Sequence, residues 1–577
     1  MENSGGSWSD LEKHETQEAT SHETGLRKFI SDWKPVTIAT PDESLSRREK
    51  AIFGTANIPF KLKLQNRHVQ MIAIGGSIGA GLFLGTGNAL KAGGPGGLMI
   101  GYVLVGILLF ATMTSLGELG VRYPSAGVFS AYNSRFVHTS WGFAIGWNYT
   151  FGWLVSFPTE LIAAANTITF WKISGGADNG AVNVNRAAWV ALFYSFIVFI
   201  NIFGVRAYGE AEFIMSLIKV VTILGFIIFG IVAAAGGTPA NHYFGTGYWF
   251  DPGSFPNGVK GVCRVFVTAS YAFSGCELAG LAAMESSSPE KTLPRAAKQV
   301  FWRVIIFYIV SIAVMSCLVP SNHPQLGTDN TANSSPFVLA ITAAGVSGLP
   351  SVINVVIILS LLSVGNAAIY GSSRTLVSLA AQGHAPKFIL YIDRKGRPVV
   401  ALIIAWVWGL IGFVSAAPNY SRGFSWLSNI GGLSSLLTWA SICASHIRHR
   451  RAMKAQNIST EELEYKAPLG VYGSYVGFVL AVVILGLNFW VSLFPLHSDG
   501  KASTYSFFQT WLSACIILAL FSIHWLFYRE PITRSKDLDV TTAIRCADPD
   551  LLRARVAEER DYLRSRSVFY RVYRFFC

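Results

Sequence analysis

The sequence predicts an all-α integral membrane protein with about twelve transmembrane helices. Of its 577 residues, 51% are hydrophobic and only 14% are charged, which is too apolar for a soluble multidomain protein. The apolar residues fall into runs of about twenty, the length that a helix needs to cross a bilayer. The runs predict spans near residues 69–90, 97–118, 141–171, 188–206, 213–236, 262–283, 302–319, 350–379, 399–417, 426–445, 471–494 and 506–528.

Lysine and arginine are distributed unevenly between alternate loops. If the N-terminus is cytosolic, the inner loops hold most of the cations, including Arg122, Lys291, Arg397 and Arg448, and the outer loops hold few. This is the positive-inside pattern, and an even number of spans returns the C-terminus to the cytosol. The formal net charge is +13, and the lysines and arginines responsible for it flank the spans. Cations in these positions suit an anionic lipid surface and do not indicate nucleic-acid binding.

The spans divide the chain into two tails and a core. The N-terminal tail has no early apolar region typical of a signal peptide, and its low hydrophobicity predicts that it is mostly disordered. The C-terminal tail contains a basic amphipathic segment suited to a membrane surface. The predicted regions are a cytosolic N-terminal tail (1–68), a transporter core (69–528) composed of repeat one (69–236), repeat two (262–445) and two extra helices (471–528), and a cytosolic C-terminal tail (529–577).

Span one has six glycines within residues 75–87. Each glycine weakens a helix by about 1 kcal/mol relative to alanine, so we expect this helix to unwind within the membrane. Hydrocarbon offers no partner to the freed backbone amides, whereas an anionic ligand at the broken helix end would satisfy them. The alternative is that the glycines only permit close helix packing, through the pairs Gly75/Gly79 and Gly81/Gly85.

Span six contains a second predicted interruption. Ser274, Gly275, Cys276, Glu277 and Gly280 place polar and flexible residues at mid-membrane depth. The interruptions lie in the first helices of two five-span units, roughly 200 residues apart, and paired breaks of this kind mark the binding site of a transporter. Because five is an odd number, the second unit is expected to be inverted relative to the first.

The two interruptions predict a binding site for a free amino acid. Amides on span one suit a carboxylate, and carbonyls released on span six suit an ammonium group. The candidate substrate-binding residues are Ser77, Ile78, Gly79, Ala80 and Gly81 on span one, and Phe273, Ser274, Gly275, Cys276 and Glu277 on span six. We expect no cofactor, metal or enzymatic activity, since the sequence offers no metal-binding cluster, phosphate loop or nucleophile–base pair outside the spans.

Several motifs flank these interruptions. They include Arg67-His68-Val69-Gln70-Met71 ahead of Gly75-Gly76-Ser77-Ile78-Gly79, then Gly117-Glu118-Leu119, Pro158-Thr159-Glu160-Leu161, Pro294-Arg295-Ala296, Phe301-Trp302-Arg303 and Gly383-His384-Ala385-Pro386-Lys387. In combination they closely resemble the fungal amino acid permeases of the yeast amino acid transporter family, in the amino acid–polyamine–organocation superfamily. The likeness covers about residues 61–530 and is greatest to the general amino acid permeases. Cys276 stands where the family pattern usually has Thr or Ser.

The resemblance implies a fold like that of the bacterial leucine transporter, with five plus five inverted helices and two more at the end. It also implies proton-coupled uptake at the plasma membrane. In this interpretation Lys219 lies near the first interruption, where its cation takes the place of the sodium ion of related carriers. The alternative is that Lys219 extends its ammonium group to the inner interface.

Two carboxylates within the spans are further candidates for proton coupling. Glu160 lies in span three just after Pro158, and Glu277 lies beside the second interruption. Charged groups inside a membrane are costly and usually functional. The alternative for either carboxylate is a structural hydrogen-bond brace between helices. Glu118 is expected to be a gate or loop brace at the inner end of span two. Candidate pocket-lining residues are Ser363, Asn366, Thr438 and Trp439.

The tails and outer loops carry candidate modification sites. The resemblance implies ubiquitin ligases or their adaptors as partners of the cytosolic tails, with Lys13, Lys28 and Lys34 as candidate acceptors. Cys577 ends the chain after two phenylalanines and is a candidate for palmitoylation. Asn333 and Asn419 begin sequons in predicted outer loops and are candidates for glycosylation.

Two other functions fit a membrane protein of this composition. One is a carrier of amines or polyamines from the same superfamily, but such ligands lack the carboxylate that the amides of span one would bind. The other is a nutrient-sensing receptor with little flux, in which ligand binding signals through the tails. Transport of free amino acids and protons across the bilayer accounts for both interruptions and is the leading hypothesis.

Overall fold

A computed structural model describes residues 32–38, 42–60, 63–125, 127–171, 184–286, 288–327, 335–416, 420–496, 498, 500–544 and 565–567. These residues are predominantly α-helical, and their only β pairings are isolated bridges. Eight helical segments among them are long and apolar enough to cross a membrane, and shorter apolar helices accompany these, Arg186–Ile202 and Val399–Val414. The predicted all-α membrane fold is therefore confirmed.

Helices occur at all twelve predicted positions. Those of the first predicted repeat, with the helix preceding it, are α1 (Arg47–Ala56), α2 (Asn66–Gly75), α3 (Thr86–Arg122), α4 (Val128–Tyr132), α5 (Thr139–Thr167), α6 (Arg186–Ile202) and α7 (Val205–Ala234). The later helices are α8 (Gly258–Phe273), α9 (Leu278–Met284), α10 (Pro289–Arg303), α11 (Ser311–Leu318), α12 (Pro336–Ala343), α13 (Leu349–Ala381), α14 (Val399–Gly409), α15 (Tyr420–Ala455), α16 (Gly470–Leu493) and α17 (Thr504–Tyr528). The inverted relation of the two repeats stays a prediction.

Several observed helices extend beyond the predicted spans. The span predicted at 426–445 lies within the longer helix α15. The helix that contains the span predicted at 302–319 begins earlier, with α10, and continues through a π-helical turn, Val304–Val310, into α11. Hydropathy ends where a helix leaves the apolar layer, but backbone hydrogen bonds continue beyond it. Both helices are therefore longer than the apolar spans that the sequence predicts, and the span boundaries stay predictions.

Spans one and two meet at a tight corner inside α3. Gly94 has a φ of 69° there, and Pro95 follows it. A β-carbon on Gly94 would lie 2.5 Å from the Ser254 carbonyl oxygen, so both the backbone conformation and the available space require glycine. The second half of span one therefore runs from Gly81 to this corner.

The long helices pack around the two interrupted ones. Helix α13 packs along α5, α8 packs along α3, and α7 packs along α2. Large apolar side chains on the outside of α7 and α17 are exposed, including Val221, Ile228 and Leu518, as expected for helices that face lipid. The interruptions therefore lie at the centre of a helical bundle with an apolar surface.

Helix α1 and the described residues after α17 pack together on one face of the bundle, which we call the terminal face. The Arg135 guanidinium donates hydrogen bonds to the carbonyl oxygens of Asp539 (2.9 Å) and Thr542 (2.7 Å). The Tyr123 hydroxyl donates to the Val540 carbonyl oxygen at 3.0 Å. Helix α1 joins them through Arg48, which contacts Thr533 and the Arg135 carbonyl. Residues 529–544 thus form a strap across this face.

Candidate functional site

The first interruption spans residues 76–80, between α2 and a π-helical turn at Gly81–Gly85. The amides of Ser77 and Ile78 donate to the Ile74 carbonyl oxygen at 3.3 and 3.2 Å, so a tight turn satisfies them. The Ala80 amide donates to Oε2 of Glu160 at 3.3 Å. The helix is therefore broken where the glycines predicted, and a carboxylate of the protein contacts one of the predicted anion-binding amides.

The second interruption spans residues 274–277, between α8 and α9. Gly275 has a φ of 102°, a conformation that side chains rarely adopt. Its amide donates to both carboxylate oxygens of Glu277, at 3.3 and 3.2 Å. The Trp439 indole also donates to Glu277 Oε2 at 3.3 Å. Glu277 thus stabilises the bend and ties it to α15.

The two interruptions are in direct backbone contact. A β-carbon on Gly275 would collide with the carbonyl of Gly76. One on Gly81 would lie 2.5 Å from the α-carbon of Ala272 at the end of α8. These glycines therefore permit close packing of the two helices and also lie where the helices unwind. Helix unwinding and close packing, the two alternatives for the glycine-rich stretch, occur together.

A small cavity of about 10 Å³ lies where the interruptions meet, and we call it the central cavity. Its volume is about that of one water-sized probe, far below the space that an amino acid occupies. It is lined by Gly76, Ser77, Gly79, Ala80, Gly81, Trp153, Ser156, Glu160, Tyr271, Ser274 and Val364.

The lining brings together only part of the predicted site. Ser77, Gly79, Ala80, Gly81 and Ser274 contribute to it. The other predicted residues are buried beside the cavity without lining it: Ile78, Phe273, Gly275, Cys276 and Glu277. The sequence analysis did not name five lining residues as candidates, because apolar and small residues on a span do not reveal which face they occupy: Gly76, Trp153, Ser156, Tyr271 and Val364.

Glu160 closes one side of the central cavity. One carboxylate oxygen accepts the Ala80 amide, and the other accepts the Tyr271 hydroxyl at 3.0 Å. The side chain is 2% exposed and joins α5 to both interrupted helices. Opening this side of the cavity therefore requires Glu160 and Tyr271 to part.

A much larger cavity, of about 460 Å³, lies on the other side of this contact. We call it the vestibule, and its side of the bundle the vestibule face. Ala80 and Tyr271 line both cavities. The vestibule is also lined by Gly85, Asn88, Lys91, Ala92, Asn257, Arg264, Val267, Thr268, Ser425, Ser428, Asn429, Leu496 and Gln509.

Lys219 and Glu212 lie behind the first interruption. The Lys219 ammonium donates to the carbonyl oxygen of Gly75, the last residue of α2, at 2.7 Å. The side chain is fully buried, so the interpretation that it reaches to the interface was wrong. A β-carbon on Gly75 would collide with the Glu212 carboxylate, which places that acid on the same helix end.

Glu212 is a buried acid that the sequence analysis missed. Its Oε2 accepts the Ser363 hydroxyl at 2.7 Å and its Oε1 accepts the Asn366 amide at 3.0 Å. Glu212 precedes Lys219 by seven residues, which is about two helical turns and puts both side chains on one face. This spacing could have predicted that the acid lies near the buried lysine.

The remaining candidates hold helices together. Glu118 accepts the Ala467 amide at 2.8 Å and lies 2.8 Å from His446 and 2.6 Å from Arg450, which makes it a loop brace. Ser363 and Asn366 contact Glu212, and Trp439 contacts Glu277. Ser363, Asn366, Thr438 and Trp439 are absent from the described lining of the central cavity.

The candidate modification sites Lys13, Lys28, Asn333, Asn419 and Cys577 lie outside the described residues. Lys34 is described and exposed, and its carbonyl oxygen accepts the Arg394 amide. Within the described part of the chain, no group of three or more histidine, cysteine, aspartate or glutamate residues is arranged to hold a metal ion.

Comparison with known proteins adds to this geometry. A family model described as amino acid permease matches residues 68–536. The chain is 46% identical over 574 residues to the general amino-acid permease GAP2 of Candida albicans, which covers 98% of this chain and 96% of the relative. It is 44% identical to the general amino-acid permease GAP1 of Saccharomyces cerevisiae, covering 95% and 91%. It is 40% identical to the S-adenosylmethionine permease GAP4 of Candida albicans, covering 99% and 93%.

Proposed function

Because this chain belongs to the amino acid permease family, we propose that it imports free amino acids across the plasma membrane by proton symport. Substrate would bind in the central cavity and pass by alternating access. The observation that carries the proposal is the contact between the two interruptions, at Gly76 and Gly275, beside the central cavity. The contact between Glu160 and Tyr271, which we call the gate, separates this cavity from the vestibule. Interrupted helices that meet at the centre of a bundle offer backbone groups to both charges of a zwitterion.

The orientation of the substrate follows from the groups at each interruption. We assign its carboxylate to the Gly79–Ala80 backbone and its ammonium group to the Ser274 side of the cavity. The substrate must then replace Glu160 at the Ala80 amide, because one amide cannot serve two carboxylates. Cavity enlargement accompanies this exchange, since the closed cavity measures only about 10 Å³.

Glu160 is the group that we assign to proton coupling. Unlike Lys219 and Glu277, it lines the cavity itself. Two carboxylates side by side in a buried site repel each other strongly, whereas a protonated acid can donate a hydrogen bond to the carboxylate of the substrate. Uptake of one proton by Glu160 therefore favours substrate binding and releases Tyr271. Lys219 and Glu212 are assigned to holding the end of α2.

The orientation in the membrane follows from the charge pattern. We place the terminal face in the cytosol, because the cation-rich loops and both tails lie on that side in the positive-inside topology. The vestibule then opens to the exterior. Lys34 is exposed on this proposed cytosolic side and, with Lys13 and Lys28, is a proposed ubiquitin acceptor. The palmitoylation of Cys577 and the glycosylation of Asn333 and Asn419 stay predictions.

Uptake of labelled amino acids into cells that lack their own permeases tests the proposal. We expect accumulation of neutral amino acids that collapses when a protonophore is added. Glu160→Gln should abolish accumulation and retain exchange of internal for external substrate, because the substrate carboxylate then meets a permanently neutral side chain. Accumulation that is insensitive to the protonophore would contradict proton symport. Proton-driven accumulation by Glu160→Gln would contradict the assigned proton carrier.

The same assay separates the other functions. A relative that is 40% identical is named an S-adenosylmethionine permease, and that compound carries the same carboxylate and ammonium groups as an amino acid. Competition by S-adenosylmethionine against labelled leucine therefore measures whether this chain accepts it. Uptake of polyamines without amino acids would favour the amine carrier, and binding without flux would favour a receptor.

A further inference from the structure

The vestibule has the size of a binding site, unlike the central cavity. Its volume of about 460 Å³ compares with about 10 Å³ for the central cavity. Ligand sites for small molecules typically measure about 300–1,000 Å³. Since Tyr271 and Glu160 close the way to the centre, an amino acid that enters this conformation stops in the vestibule.

The charged groups of the vestibule have one sign. Arg264 and Lys91 line it, and its described lining contains no carboxylate. The other polar groups are amides and hydroxyls, such as Asn257, Thr268 and Asn429. A partly enclosed cavity with two cations concentrates anions and repels cations.

Arg264 is the cation with uncommitted donors. The Lys91 ammonium donates to the Leu326 carbonyl oxygen at 3.1 Å, but Arg264 has no hydrogen-bond or ion-pair partner among the described residues. For comparison, the buried Arg374 lies 2.9 Å from Glu285 and the buried Arg397 lies 2.6 Å from Asp393. A half-buried guanidinium without a partner faces the cavity with donors that match a carboxylate.

The position of Arg264 on α8 relates it to the gate. Arg264, Thr268 and Tyr271 all line the vestibule, and their spacing of four and then three residues places them along one helix face. Arg264 therefore lies about 10 Å along the helix axis from Tyr271, which is more than the distance between the two charges of one amino acid. A carboxylate bound at Arg264 is a stage before the central cavity and does not overlap with it.

We propose that the vestibule is a binding site of its own, in which Arg264 holds the carboxylate of an amino acid before it passes Tyr271 and Glu160. The inference rests on the proposed function and adds a substrate class to it. Acidic and neutral amino acids are held well, whereas the positive side chains of lysine and arginine are disfavoured by the two cations.

The test compares Arg264→Gln with Lys260→Gln in the uptake assay. Lys260 is one turn earlier on α8, lies outside the described lining and contacts Trp490, so its replacement removes an equal charge outside the cavity. In Arg264→Gln we expect the KM for glutamate and leucine to rise about fivefold or more, with a maximal rate that changes less than about twofold, and the KM for lysine to fall. Lys260→Gln should leave all three KM values unchanged.

Two outcomes of this comparison overturn the inference. One is an unchanged set of KM values in Arg264→Gln, and the other is the same shift in both variants. Absence of amino acid uptake by the unaltered chain would instead contradict the proposed function. The two failures are therefore distinguishable.

A second measurement leaves Arg264 in place. In Thr268→Cys, an impermeant thiol reagent labels the vestibule, and we expect glutamate to slow the labelling more than leucine does, and lysine least. Adding Gly79→Leu, which fills the central cavity, should preserve this protection because the vestibule binds independently. Protection that is equal for the three amino acids, or that disappears with Gly79→Leu, overturns the proposal.

Discussion

The vestibule face and the terminal face of the bundle are held together by different numbers of contacts. On the vestibule face the barrier is essentially one contact, in which Glu160 accepts hydrogen bonds from Tyr271 and Ala80 beneath a cavity of about 460 Å³. On the terminal face the strap of residues 529–544 is hydrogen-bonded to α1, to the side chains of Tyr123 and Arg135, and to Arg448 of α15. One hydrogen-bonded carboxylate separates the vestibule from the central cavity, whereas several hydrogen bonds together hold the strap to the terminal face.

These unequal contacts indicate which movements cost least in the proposed transport cycle. Separating Tyr271 from Glu160 breaks one hydrogen bond, worth about 0.5–1.5 kcal/mol, or somewhat more because the acceptor is a carboxylate. Releasing the strap from the terminal face breaks several such bonds together, most of them from side chains to backbone carbonyl oxygens of the strap. We therefore expect the described conformation to exchange more readily with an outward-open state than with an inward-open one.

The largest expected effect comes from filling the central cavity. In Gly79→Leu, the new β-carbon lies 2.6 Å from Val364 and 3.3 Å from the Glu160 carboxylate, so uptake should fall by about 100-fold or more. Gly225→Leu is the matched control, because Gly225 is exposed on α7 with nothing within 4 Å of its β-carbon position. Surface expression should stay similar in both. Normal uptake by Gly79→Leu would show that the cavity between the interruptions is not the substrate path.

A second test concerns the charges behind the first interruption. Glu212→Gln removes the acid that compensates the buried Lys219, and an uncompensated buried charge destabilises a protein by about 3–5 kcal/mol. We expect a lower thermal midpoint of the purified protein and partial recovery in the double variant Glu212→Gln/Lys219→Gln. A double variant that loses stability additively would show that the two groups do not interact.

The attachment of the strap to the terminal face is tested by Arg135→Gln. This change removes the hydrogen bonds to the Asp539 and Thr542 carbonyls and an ion pair of 3.5 Å with Asp539. Limited proteolysis of the strap should become about tenfold faster, while uptake changes by less than about threefold. Lys395→Gln, which breaks an exposed ion pair with Asp32, is the control and should leave proteolysis unchanged. Equal proteolysis of the unaltered chain and Arg135→Gln would show that the strap is held by other contacts.

The smallest effect is expected from cytosolic pH. Burial opposes ionisation of Asp539, but amide donation from Thr542 and the charge of Arg135 outweigh it and lower the pKa below 3.8. A lowered pKa in the docked state means that docking is favoured above the ordinary pKa and is lost as the pH falls through the docked value. Proteolysis of the strap should therefore not change between pH 6 and pH 7.5. A clear acceleration at pH 6 would contradict this account of the strap.

Much of the fold was predictable from local composition. Glycine density located the first interruption at residues 76–80, and the run from Ser274 to Glu277 located the second, because glycine and polar residues weaken helices in an apolar layer. The Gly75–Gly81 stretch did not, however, reveal that the two backbones would touch. That contact depends on the packing of helices distant in sequence.

The site was less predictable because its main groups sit near span boundaries or on unmarked faces. Glu212 preceded the predicted start of span five at 213, but α7 begins at Val205 and buries it. Arg264 fell near the start of span six and was not distinguished from interfacial cations. Tyr271 gave no signal of its own, since its role depends on Glu160, which is 111 residues earlier in the chain.

The proposed position of the substrate can be seen in a cryo-electron microscopy structure of the chain in lipid nanodiscs with saturating leucine. We expect leucine between the two interruptions, with its carboxylate on the Gly79–Ala80 backbone, its ammonium group beside Ser274, and Glu160 displaced from the Ala80 amide. Leucine bound elsewhere, with the Glu160 contacts to Ala80 and Tyr271 unchanged, would contradict the proposed position.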